Sequence, residues 1–239
     1  MSRDLTFTFF DSVKSRVGEP LTAPWADWTH ILTHHHLTGA PSDAGDEEAL
    51  NRGKERAKLL SLCAFADNRR AAKNVTAIDA AGLDFDDASD EQLLEALSAL
   101  APYHYVIYTT HKSGATIPKV AGRERWRIVI PFDRPVHLDE FPRVFKRLSY
   151  ITGNANDLAA RDASRLHYLP STFDLKLAAV DTNEGAFFSV DEALIATASA
   201  SEDVMAELDP FSAEDVAHVR ASLYGMSRIF SKPEQLKAL

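Results

Sequence analysis

The stretch from Gly82 to His111 leaves this chain few ways to fold. It reads Gly-Leu-Asp-Phe-Asp-Asp, then a helical pattern, then Tyr-His-Tyr-Val-Ile-Tyr-Thr-Thr-His. Side chains alternate along a strand, so Asp84 and Asp86 share one face while Leu83 and Phe85 anchor the other. Adjacent carboxylates repel and raise one another's pKa. A hard divalent cation such as Mg²⁺ or Mn²⁺ relieves that repulsion. The same residues also suit an acidic strand end running into a turn. Ser89 is placed to cap a helix with Asp90 and Glu91 in its first turn, and Leu93, Leu97 and Leu100 give it one apolar side. Pro102 ends that helix, and the aromatic, β-branched run Tyr103 to Thr110 predicts a second strand. The unit therefore delivers Thr109, Thr110 and His111 to a strand end.

The flanking sequence extends the pattern. Leu5 to Asp11 predicts a first strand, and Pro24 to His36 a helix with Trp25, Trp28, Ile31 and Leu32 on its apolar side. Ala40 to Asp46 is a loop and Glu47 to Leu60 a charged helix, while Leu59 to Phe65 suits a strand or the helix's continuation. Arg69, Arg70 and Lys73 form a basic turn whose charges suit solvent better than a phosphate backbone. The segment after His111 reads as a mobile cationic loop without an aliphatic core, and it lacks phosphate-binding P-loop spacing. Trp126, Ile128 and Ile130 then share one strand face, with Arg125 and Arg127 on the other. A buried arginine there must meet carboxylates or phosphate oxygens. Asp139 to Ile151 predicts an amphipathic helix, followed by a polar loop with Asp157 and Asp162 and a short strand carrying Arg165. A further helix starts at Ser189. Residues 199–239 read as an acidic linker and an accessory amphipathic helix, Ser212 to Met226.

Composition removes several alternatives. At 239 residues and 45% hydrophobic content the chain can bury a sizeable core. No apolar run approaches the ~20 residues of a membrane span, and the N-terminus shows no signal-peptide core. The single cysteine, Cys63, fits a small core residue in a reducing cytoplasm. A net charge of −9 argues against a general polyanion binder. It leaves room for a local basic cleft, because Arg123, Arg125, Arg127, Arg143, Lys146, Arg147, Arg161 and Arg165 crowd the middle of the chain. His34, His35 and His36 raise a rolling-circle nickase with a tyrosine nucleophile as an alternative. The middle residue of the triplet departs from the His-hydrophobic-His pattern that chemistry uses, and a half-exposed helix end explains it as well.

The order of parts resembles the archaeo-eukaryotic primase superfamily, in particular primase–polymerase-like domains of plasmid and phage replication proteins. The resemblance runs from Asn74 to Pro170. It rests on the Asp-Phe-Asp pair, the tyrosine-rich strand ending in Thr-Thr-His, Trp-Arg-Ile-Val-Ile-Pro, and Asp-Ala-Ser-Arg-Leu-His-Tyr-Leu-Pro. It implies an α+β fold, with an RRM-like antiparallel sheet and flanking helices fused to an N-terminal α/β lobe. The expected division is 1–74 and 75–198, with strands at Leu83, Tyr103, Arg125 and Arg165.

Carried over by position, the resemblance implies that Asp84 and Asp86 hold Mg²⁺ or Mn²⁺ with Asp157 as third acid, Asp162 and Asp133 being its rivals. His111, Lys112, Arg127 and Arg165 would bind the triphosphate, and Arg123, Arg125 and Arg143 the template. The implied activity is template-directed nucleotidyl transfer with NTP or dNTP on single-stranded DNA, with a helicase acting in trans. A non-catalytic replication module that kept the fold is the alternative.

Overall fold

The computed structural model describes residues 3–199; the expected linker and C-terminal helix lie outside the described residues. In chain order the strands are β1 (Asp4–Phe10), β2 (Glu19–Pro24), β3 (His36–Leu37), β4 (Leu59–Ser61), β5 (Cys63–Phe65), β6 (Val75–Phe85), β7 (Tyr105–Thr109), β8 (Trp126–Val136), β9 (His167–Tyr168), β10 (Ser171–Thr172) and β11 (Val180–Asn183). The helices are α1 (Trp25–Leu32), α2 (Glu47–Glu55), α3 (Asp90–Leu100), α4 (Phe141–Ile151) and α5 (Val190–Ser199). The fold is α+β, with two antiparallel sheets of order β2-β1-β4-β9 and β11-β7-β8-β6-β5. A short parallel pair joins β3 to β10.

Period-two alternation along β6, β7 and β8 gives the five-stranded sheet two apolar faces. Leu83, Phe85, Ile107, Ile128 and Ile130 pack beneath Leu93 and Leu97 of α3 and Val144, Phe145 and Leu148 of α4. Ser89 caps α3 through a hydrogen bond from the Gln92 N–H, and the Gln92 side chain returns one from the Ser89 N–H. The opposite face, through Ala80, Val106, Tyr108 and Val129, packs against Leu5, Phe7, Trp25, Trp28, Leu60 and Leu169. Trp28 fixes α1 there by donating its indole N–H to the Leu5 carbonyl at 3.1 Å.

Four expectations change. Leu59 to Phe65 is neither one strand nor a helical continuation: β4 and β5 join different sheets, with Leu62 between them. The strand near Arg165 is β9, and it pairs with β4 in the four-stranded sheet; the edge of the five-stranded sheet beside β7 is β11. Strands are thus exchanged across the expected lobe boundary at 74/75. The segment after His111 is not devoid of aliphatic packing, because Ala115, Ile117 and Val120 are buried against Leu50 and Phe173. Among the described residues no helix is long and apolar enough to cross a membrane.

Candidate functional site

Strand register lays a polar row across the sheet face that meets the N-terminal strands. Asp84 of β6 stands opposite Arg127 of β8, and Arg127 stands opposite Tyr108 of β7. Arg127 donates from Nε to Asp84 Oδ1 at 2.5 Å and from Nη1 to the Tyr168 carbonyl at 3.2 Å. Its guanidinium also lies over the Tyr108 ring, 5.9 Å from the centroid. Asp86 and Arg125 continue the pattern one step past the strand ends, paired at 3.2 Å.

The polar loop after α4 closes the arrangement. The Asp157 N–H donates to the Asp84 carbonyl at 2.7 Å, which places the third expected acid beside the first. Arg165 spans both, with Nη2 3.5 Å from Asp84 Oδ2 and 3.9 Å from Asp157 Oδ2. The rival acids have local work instead. Asp133 accepts from the Val190 N–H at the start of α5, and Asp162 accepts from the Ser164 N–H and hydroxyl.

The resulting cleft is lined by Asp84 and Asp86 against five basic side chains: Lys54, Lys112, Arg125, Arg127 and Arg165. His111 borders it but is 3% exposed, with Nδ1 3.3 Å from Thr38 Oγ1 and 3.2 Å from Ser171 Oγ. Burial, reinforced by Lys54 and Lys112, drives its pKa down to about 4, so the ring is neutral at pH 7. Burial alone would push the Asp84 carboxyl up; the Arg127 charge and hydrogen bond, with His167 and Arg165, outweigh it and hold the group at about 2. Asp86 moves the other way, raised by burial and by Asp84, against the pull of Arg125.

The template residues separate. Arg125 lines the cleft, whereas Arg123 does not and pairs with Asp87 at 3.0 Å. Arg143 is not brought to the cleft: it lies on the helix-covered side and donates to the Leu194 carbonyl of α5 at 2.6 Å. The three consecutive histidines diverge. His34 Nδ1 lies 2.6 Å from the His30 carbonyl, and His35 Nε2 lies 2.8 Å from that of Thr109. Tyr105 packs under the helices while the His35 ring approaches Tyr108 on the other face, so among the described residues the nickase geometry is not formed.

Sequence reasoning missed Lys54, Tyr108, Tyr168 and His167. His167 is buried beside Gly82, its Nδ1 without a partner, and burial followed by the Arg127 charge lowers its pKa to about 3. Its position two residues past Arg165, within the Ser-Arg-Leu-His-Tyr run, was the available signal. Lys54 sits on a helix whose sequence looks merely solvated.

In this arrangement the Asp84 carboxylate is held by arginines and is not open to a cation. Both Asp84 oxygens face arginines, and among the described residues no group of three or more His, Cys, Asp or Glu side chains is placed to hold one.

A family model described as the VapE N-terminal domain matches residues 63–204. The chain belongs to that family. The VapE N-terminal domain match bears out the recognition of a primase–polymerase-like domain of plasmid and phage replication proteins. It takes in Asp84, Asp86, His111, Arg127, Asp157 and Arg165, and leaves α2 with Lys54 outside. No curated protein matches the chain. One solved structure, the archaeo-eukaryotic primase domain of the cyanophage S-2L primase–polymerase, is similar at 15% identity and TM-score 0.43 over 80% of this chain and 88% of that one. Likeness at that level says nothing about activity.

Proposed function

We propose that this VapE N-terminal domain is a primase–polymerase-like nucleotidyltransferase that adds nucleotides on a single-stranded DNA template during plasmid or phage replication. One observation carries the reading: in a chain of net charge −9, five basic side chains converge with two carboxylates in one cleft between the sheets. Such a cleft concentrates phosphate ligands against the overall field of the molecule. Arg165, about a third exposed, and Lys112, held only at 3.8 Å from Glu47, are positioned to donate to phosphate oxygens. Buried Arg127 instead fixes the Asp84 carboxylate and the sheet beneath it. Neutral His111 supports the turn that carries Lys112.

Mg²⁺ or Mn²⁺ is the cofactor this reading proposes, and the Asp84 carboxylate must first leave its arginines for that. NTP or dNTP, the template and a helicase in trans are its proposed partners. The arginine grip on Asp84 favours a second reading, a non-catalytic replication module with a phosphate-binding cleft. Nucleotide incorporation by the purified chain on single-stranded templates, with either metal and either nucleotide set, separates the two: the first reading expects product and the second expects none.

A further inference from the structure

We infer that Lys54, contributed by α2 outside the family-matched segment, seats a phosphate group of the cleft's ligand and does so without a divalent metal. The inference rests on the phosphate-binding reading above and adds to it a residue and an order of events.

Four observations support it. Lys54 lines the cleft, half-buried, with its ammonium 4.8 Å above the Tyr168 ring. Among the described residues it makes no ion pair with a carboxylate, although every arginine in the cleft has one. Arg127 and Lys112 act on it more strongly than Asp86 and Asp84 do, so burial followed by those two positive charges lowers its pKa. Packing fixes the helix that carries Lys54 at the cleft. Gly53, the preceding residue, is pressed so closely on His111 that an added Cβ would fall 2.9 Å from Nε2. Leu50 is fully buried one turn earlier. The helix therefore holds an unpaired ammonium over the cleft at a cost in repulsion and desolvation that an anion would relieve.

The metal-free part follows from the carboxylates. With Asp84 engaged by Arg127 and Arg165, and Asp86 by Arg125, the five basic side chains of the cleft outnumber its two carboxylates, both already paired, and offer an anion excess positive charge. A phosphate ligand thus finds its seat first.

The test is isothermal titration calorimetry of the full chain with inorganic tripolyphosphate and with dATP, in EDTA and again with Mg²⁺, beside thermal melts. Wild type is expected to bind both probes in EDTA. Lys54→Gln is expected to weaken binding roughly tenfold or more with its melting temperature retained, and Lys54→Arg to stay within about threefold of wild type. Equal binding by wild type and Lys54→Gln would overturn the role of Lys54 and leave the cleft's function standing. Binding by wild type only when Mg²⁺ is added would overturn the metal-free seat. No binding in either buffer would remove the phosphate-binding reading and this inference together.

Discussion

The backbone N–H of Asp157 donates to the carbonyl oxygen of Asp84 at 2.7 Å, across 73 positions of sequence. That one bond fixes the loop after α4 against the end of β6, and Arg165 then bridges the two carboxylates it brings together. Removing either acid therefore acts on a charge network as well as on a candidate ligand.

Asp84 and Asp86 should differ sharply on truncation. Asp84 is 4% exposed and paired with buried Arg127, so Asp84→Ala leaves an uncompensated guanidinium and is expected to cost about 3–5 kcal/mol. Asp86, half-buried and paired with Arg125, should cost about 1 kcal/mol or less. Urea denaturation of the two variants measures the difference.

Much of this network was legible in the sequence because period-two alternation dictates it. Asp84 and Asp86 against Leu83 and Phe85, and Arg127 against Ile128, follow from strand geometry alone, and the paired register makes Asp84 and Arg127 neighbours. The motif order singled out Asp157. What was not legible came from long-range packing. Lys54 looks like any charge on a polar helix until Gly53 meets His111. A two-residue strand such as β9 carries too little pattern to announce which sheet it joins. Arg143 sits in a basic run, but the helix face it occupies turns it toward α5.

Gly53→Ala sets two known effects against each other. Alanine is favoured over glycine inside a helix by about 1 kcal/mol. Here the added methyl would fall 2.9 Å from His111 Nε2 and 3.1 Å from the Thr38 carbonyl, with the ring held by Thr38 and Ser171. Overpacking, typically about 1–3 kcal/mol, should win. A lower melting temperature, with weaker tripolyphosphate binding as α2 shifts, is the expected outcome; a rise in melting temperature would contradict the packing.

Acid should lower the protein's stability in two stages. His111 and His167 have folded pKa values near about 4 and about 3, below the ordinary histidine value of 6.5, so the native state resists protonating them. Their stabilisation is present above pH ~6.5 and is lost progressively as pH falls toward those folded values. Every tenfold loss of proton affinity on folding corresponds to about 1.4 kcal/mol. Asp84, held at about 2 against an ordinary 3.8, adds a second loss below pH ~4. Melting temperature followed from pH 8 to pH 3 should fall first below about 6.5, and His167→Gln should flatten that first limb if the variant folds.

Arg165 separates ligand binding from stability. Its carboxylate contacts are long, at 3.5 and 3.9 Å, and the side chain is about a third exposed, so Arg165→Ala should cost about 1 kcal/mol or less. Loss of a charge-assisted phosphate contact should instead lower kcat/KM for nucleotide by roughly ten- to a thousandfold. Arg165→Lys should restore part of it, since an ammonium cannot reproduce the bidentate fork. Steady-state kinetics beside thermal melts reads both quantities. Early melting with unchanged nucleotide affinity would assign Arg165 to the fold.

The most direct test is incorporation of labelled nucleotides on single-stranded DNA by the purified chain and by Asp86→Asn, the carboxylate variant expected to keep the fold. Both proteins are assayed with Mg²⁺ and Mn²⁺ and with ribonucleotides and deoxynucleotides. The account predicts template-dependent product from wild type, and at least a roughly hundredfold loss in Asp86→Asn at matched melting temperature. Wild type that binds triphosphate yet makes no product under any combination would contradict it and leave a phosphate-binding replication module in its place.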